Sequence, residues 1–115
     1  MNLSGEDGKK TAILGPIGSG KSTLFYHLNG IFLPQTGRVI VKGREITKKN
    51  LDWIRSTVGL VFQNPDDQLF APTVKDDVSF GPSNLRLPRE EVEKRVGESL
   101  EIIGMTGFER VPLTI

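Results

Sequence analysis

The chain has no cysteine, which closes off a disulfide scaffold or a thiolate metal site and suits a reducing compartment such as the cytoplasm. Charge of either sign is barely in excess: 15 Lys and Arg stand against 14 Asp and Glu. With no basic tract and no basic face studded with aromatics, nothing argues for a nucleic-acid partner. Long hydrophobic runs are missing too. None approaches the roughly 18 apolar residues that a bilayer-spanning helix needs. The polar first ten residues do not read as a signal peptide, so any membrane role is expected to come through a partner. The single histidine, His27, has no carboxylate close in sequence, and packing or solvent exposure is its expected part rather than catalysis. A chain of 115 residues is expected to form at most one domain, small for an enzyme that binds and hydrolyses a nucleotide.

What the chain does have is glycine in one patterned place. Gly15-Pro16-Ile17-Gly18-Ser19-Gly20-Lys21-Ser22-Thr23 matches the phosphate-binding pattern G-x-x-x-x-G-K-[ST] at Gly15, Gly20, Lys21 and Ser22. Glycines let the backbone turn with φ > 0 and bring successive N–H groups up to phosphate oxygens, where a Cβ would intrude. The loop feeds a helix whose positive end faces the same anion. Lys21 is expected to reach the β- and γ-phosphates as a flexible point charge, and the Ser22 hydroxyl to ligate the bridging Mg²⁺. The alternative is a glycine-rich turn between two core elements, and context speaks against it. Residues 11–14 are a short apolar run that reads as a buried parallel strand, and residues 20–28 read as the following helix, stopped by Asn29-Gly30.

Further along, residues 38–42 suit a strand that Gly43 turns, and Asn50 is placed to cap a short helix over 51–56, with Trp53 as a packed aromatic. Residues 58–62 are a second apolar run, read as a buried parallel strand ending at Gln63. Ligands of open α/β sheets bind beyond the carboxyl ends of strands, so Gln63 stands where a polar side chain can face the phosphate site. Residues 64–72 form a loop carrying an exposed Leu69-Phe70 pair. Thr73-x-x-Asp76 is a capping-box pattern opening a short helix that Gly81-Pro82 is expected to end. A last helix begins at Pro88, carries the stripe Val92, Val96, Leu100 and Ile103, and stops at Gly104. Residues 105–115 read as a loop.

These residues together resemble the first half of the ATP-binding subunit of an ABC transporter. The phosphate loop, the strand ending in Gln63 and their spacing match that family. The stretch Val61-Phe62-Gln63-Asn64-Pro65-Asp66-Asp67-Gln68-Leu69-Phe70, with Thr73-Val74 and Phe80-Gly81-Pro82, is similar to cobalt and energy-coupling-factor importers in particular. Ile17 departs from the family, which usually has Asn there. The resemblance implies an α/β fold, a P-loop NTPase fragment of ABC ATPase type in which strand, P-loop and helix are followed by a Q-loop strand and helical segments. Residues 1–115 would be one partial nucleotide-binding domain. It also implies that Gly15, Pro16, Ile17, Gly18, Ser19, Gly20, Lys21, Ser22 and Thr23 hold ATP, with Ser22 on Mg²⁺. Gln63 would be the Q-loop glutamine that meets Mg²⁺ and the attacking water. Asp67, Gln68, Leu69 and Phe70 would face a transmembrane subunit at the cytoplasmic side of the membrane, and a second ATPase subunit would join head to tail.

Hydrolysis in that family also uses a Walker B Asp, a catalytic Glu, a switch His and an LSGGQ signature, and none of these occurs in the 115 residues. Two central strands of the family's sheet are absent with them, so the sheet is expected to be incomplete, its apolar edges unpaired and the isolated polypeptide poorly stable and slow in hydrolysis. Three readings follow. The chain represents an importer ATPase subunit; or it is a non-hydrolytic nucleotide-binding module or an inert fragment of a disrupted gene; or it is another P-loop protein such as a small kinase or GTPase.

Overall fold

The computed structural model describes residues 1–113. The chain divides into two compact units, Met1–Leu51 and Asp52–Ile115. In the first, α1 spans Lys21–Leu28. It starts where Gly20 takes φ 95°, a left-handed conformation that only a residue without Cβ adopts freely. It stops at Asn29 and at Gly30, whose φ is 78°. The stop signal expected from Asn29-Gly30 is the observed one. No residue of α1 is fully buried: Leu24 and Leu28 are half-buried and Phe25 is exposed. Two strands follow, β1 at Ile40–Val41 and β2 at Arg44–Glu45, antiparallel with Ile40 opposite Glu45. Lys42 and Gly43 both have positive φ, the two-residue turn whose twist suits a hairpin. Lys42 therefore belongs to the turn and not to a strand over 38–42. The Asn50 side chain turns back, accepting from Thr47 N–H at 2.9 Å and donating to the Glu45 carbonyl at 2.8 Å, so it braces the hairpin exit.

The second unit holds all but the first residue of α2, Leu51–Thr57, followed by a 3₁₀ turn at Pro65–Asp67, α3 at Val74–Asn84 and α4 at Arg89–Ile102. Trp53 is half-buried, while its neighbour Ile54 is wholly buried. Thr73 caps α3 as the sequence implies, with Asp76 meeting the Thr73 hydroxyl where a full capping box would meet its backbone N–H. Thr73 Oγ1 accepts from Asp76 N–H at 3.2 Å and donates to Asp76 Oδ2 at 2.7 Å. The N–H groups of Val74 and Lys75 are taken by the carbonyls of Val111 and Glu109, so the first turn of α3 has no orphan donor. We expect Thr73→Ala to cost about 0.5–2 kcal/mol, read from a urea melt or from faster amide exchange over residues 74–77.

Gly81-Pro82 does not end α3. Proline's fixed φ fits a helix; it forgoes the bond to the carbonyl four residues back and its ring crowds that carbonyl, yet α3 runs on to Asn84. Leu85 N–H on the Gly81 carbonyl at 3.3 Å closes the following turn. The helix ends near Arg86, which sits at φ 57°. In α4, which packs against α3, Val96 and Leu100 are buried but Ile103 is 64% exposed. Ile103 is the C-cap, where the chain has left the helical path. Gly104 at φ 72° turns it, with Gly104 N–H on Glu101 O and Met105 N–H on Leu100 O, the paired bonds of a Schellman motif. On the solvent face of α4, Arg95 donates to Glu91 at 2.9 Å and holds that carboxyl below the usual carboxylate pKa. The loop expected over 105–115 is seen as far as Leu113; its last two positions lie outside the described residues.

The main departure is in the sheet. Neither 11–14 nor 58–62 is a strand, because a strand exists through its ladder and neither segment has a strand partner among the described residues. Leu14 and Val61 are consequently 92% and 85% exposed. Neither segment joins a sheet among the described residues, which agrees with the incomplete central sheet that the family resemblance implies.

Candidate nucleotide-binding site

The loop before α1 is shaped by residue types at fixed places. Ser19 N–H bonds the Pro16 carbonyl at 3.2 Å, giving a tight turn with Ile17 fully exposed at its tip. Gly18 lies at φ 82° and Gly20 at φ 95°, and an added Cβ at either would meet nothing within 4 Å. Conformation rather than crowding requires glycine there, and the open space is what a polyanion needs to approach the N–H groups. At Gly15 an added Cβ would lie 2.8 Å from Ser19 Oγ, so the hydroxyl that Lys21 meets would have to turn away.

The helix that follows has neither a side-chain cap nor an acid in its first turn, so its positive end is not neutralised from within. Ser22 and Thr23 are exposed on that turn. Lys21 folds its ammonium back across the loop, donating to Gly15 O at 2.6 Å, Pro16 O at 2.8 Å and Ser19 Oγ at 3.3 Å. All nine residues expected to hold the nucleotide, 15 to 23, therefore belong to one exposed, cationic, glycine-lined loop and helix start. These residues fit a triphosphate with a metal: backbone donors at three glycines, a cation already folded over the loop and a hydroxyl at the second helical position. A groove of about 910 Å³ in the same unit, lined by Leu24, His27, Leu28, Ile31 and Phe32 among others, includes none of the loop residues. His27 is occupied elsewhere, with Nδ1 2.8 Å from the Thr23 carbonyl and its ring edge-on to Phe32.

Gln63 lies in the second unit and is exposed. It opens a small closed loop. Asn64 Oδ1 accepts from Asp66 N–H at 3.2 Å, and Gln68 N–H bonds the Pro65 carbonyl at 3.0 Å. The four residues expected to face a membrane subunit are not alike. Asp67 and Phe70 are exposed, Leu69 is only half-buried rather than exposed, and the Gln68 side chain turns onto its own chain at Leu60 and Phe62. Phe70 stacks edge-on against Phe80 at 4.6 Å. The role of Gln68 has no signature in the sequence, since one Gln in a loop shows no periodicity or spacing that would mark it.

The family model described as ABC transporter matches residues 1–114. The energy-coupling factor transporter ATP-binding protein EcfA of Methanocaldococcus jannaschii is 60% identical over 114 residues, covering 97% of this chain and 41% of that protein. Its namesake from Methanothermobacter thermautotrophicus is 58% identical over 111 residues, covering 95% and 36%. Among solved structures, cbiO1 from Clostridium perfringens, described as part of the ABC transporter complex cbiONQ, superposes with a TM-score of 0.70 at 42% identity. It covers 86% of this chain and 40% of that one. The chain spans about two fifths of the length of these relatives. Among the described residues, no helix is long and apolar enough to cross a membrane.

Proposed function

Because the chain belongs to the ABC transporter family, we propose that it is the nucleotide-binding part of an importer ATPase that drives uptake of cobalt, another metal ion or a vitamin. The observation that carries this is the loop of residues 15–20 closed by Lys21, a cationic cradle with glycine at three of its six positions, leading into a helix start. Backbone N–H groups around Gly15, Gly18 and Gly20 would hold the phosphates of ATP, with Pro16, Ile17 and Ser19 shaping the turn. Lys21 would exchange its loop carbonyls for phosphate oxygens, and Thr23 would extend the cradle into α1. Ser22 would hold Mg²⁺, with Gln63 meeting the metal and the attacking water; when bound, the metal neutralises charge on the β- and γ-phosphates. The exposed Asp67 and Phe70, with Leu69 beside them, would meet a transmembrane subunit at the cytoplasmic face of the membrane, and a second ATPase subunit would pair head to tail.

Calorimetric titration of the full gene product with ATP, with and without Mg²⁺, tests this. Tighter binding with Mg²⁺ is expected, and Ser22→Ala should remove most of that gain. Binding that ignores both Mg²⁺ and Ser22 overturns the assignment. Mg-dependent binding without any turnover would instead mark a non-hydrolytic module.

A further inference from the structure

We propose that Gln68 is a positioning residue for Gln63, fixing the backbone that Gln63 directly follows; this rests on the reading of Gln63 as a Mg²⁺ contact. The Gln68 carboxamide donates from Nε2 to the Leu60 carbonyl at 3.1 Å and accepts the Phe62 N–H on Oε1 at 2.9 Å. Those two groups flank Val61. Bonding the carbonyl before and the N–H after a given residue is what the facing residue of a parallel strand does, so one side chain makes the two bonds a strand would make on that side of the segment. A glutamine is required. Asn is shorter by one methylene, Glu offers no donor at neutral pH, and Lys offers no acceptor.

The return path is built into the loop. Asp67 N–H on the Asn64 carbonyl at 3.1 Å and Gln68 N–H on the Pro65 carbonyl at 3.0 Å tighten the 3₁₀ turn, which brings residue 68 back beside residues 60–62. Gln63 is thus the first residue of a loop clamped at both ends, at Phe62 and at Gln68. Without the clamp, the exposed Gln63 would sample more positions, and ordering it on a metal would cost that freedom at each binding event. Gln68 accordingly serves its own chain, and not the membrane partner that its exposed neighbours would meet.

The test is the Mg²⁺ concentration giving half-maximal ATP binding in the full gene product. Gln63→Ala is expected to raise it about tenfold, Gln68→Ala by about the same factor, and the double variant no further than Gln63→Ala alone. Amide exchange should quicken at Phe62 in Gln68→Ala and stay unchanged at Val96 and Leu100, which shows the unit folded. Gln68→Glu keeps the acceptor for Phe62 and loses the donor to Leu60, and should fall between; it carries the test if Gln68→Ala does not fold. Wild-type Mg²⁺ dependence in the Gln68 variants beside a shifted Gln63→Ala overturns the positioning role alone. No shift in Gln63→Ala overturns the Gln63 reading and the positioning role with it. Additive losses in the double variant also overturn it, because they assign Gln68 an independent structural contribution.

Discussion

Lys21→Ala is expected to weaken Mg-ATP binding about a hundredfold. A hydrogen bond to a charged group contributes about 1.5–3 kcal/mol net, so two phosphate contacts from one ammonium come to roughly 3 kcal/mol or more, and each 1.4 kcal/mol is tenfold in affinity. The gross gain is larger, but the ammonium must first leave Gly15 O, Pro16 O and Ser19 Oγ, and those bonds are subtracted. The same bonds predict a second effect. With the ammonium gone, the Gly15 carbonyl loses its tie to the helix start and the Pro16 carbonyl keeps only the Ser19 N–H, and proteolysis or amide exchange over residues 15–20 should quicken before any ligand is added. Arginine is a poor substitute, because a planar fork cannot converge on acceptors arranged around a point charge. Titration calorimetry of the full gene product reads the affinity. A value within threefold of wild type would place the nucleotide somewhere other than this loop.

What could be seen in the sequence was what the chain decides locally. Gly20, Asn29-Gly30, the Thr73-Asp76 box, Pro88 and Gly104 all act within four or five residues, and each begins or ends an element as expected. The phosphate loop is of the same kind: nine consecutive residues carry its geometry, so motif and structure coincide. Strands are less legible because their evidence is only half local. Apolar runs at 11–14 and 58–62 say that these segments suit a sheet, yet pairing needs partners distant in sequence, and the described residues supply none. Gln68 illustrates the complement. Its bonds to Leu60 and Phe62 exist only because the turn at Pro65–Asp67 doubles the chain back, and no pattern of residue types announces a side chain standing in for a strand. Pro82 departs from expectation for another reason. Near the helix C-terminus it gives up one bond and crowds the carbonyl four residues back, a local cost that does not stop the helix before Asn84.

Leu100→Ala is expected to destabilise the second unit by about 2–5 kcal/mol, the range for removing a buried leucine side chain and leaving a cavity. Leu100 is 1% exposed and Ile54 wholly buried, and with Val96 they are the buried apolar side chains of that unit among the described residues. So small a core has little redundancy, and native domains hold only about 5–15 kcal/mol in total. The backbone role of Leu100 survives the change, since its carbonyl still accepts Met105 N–H in the helix stop, and the loss is therefore one of packing. Ile103→Ala is the matched control: the same helix end and a similar volume, but a residue 64% exposed, where about 0.5 kcal/mol or less is expected. Amide exchange along α4 separates the two, because opening free energy sets the exchange rate. Leu100→Ala should speed the slowest amides by about thirtyfold or more, at 1.4 kcal/mol per tenfold, and Ile103→Ala by little more than twofold. Equal effects from the two would mean that the buried face of α4 runs through Ile103 as the sequence stripe implied, and that the helix does not leave its apolar track at Leu100.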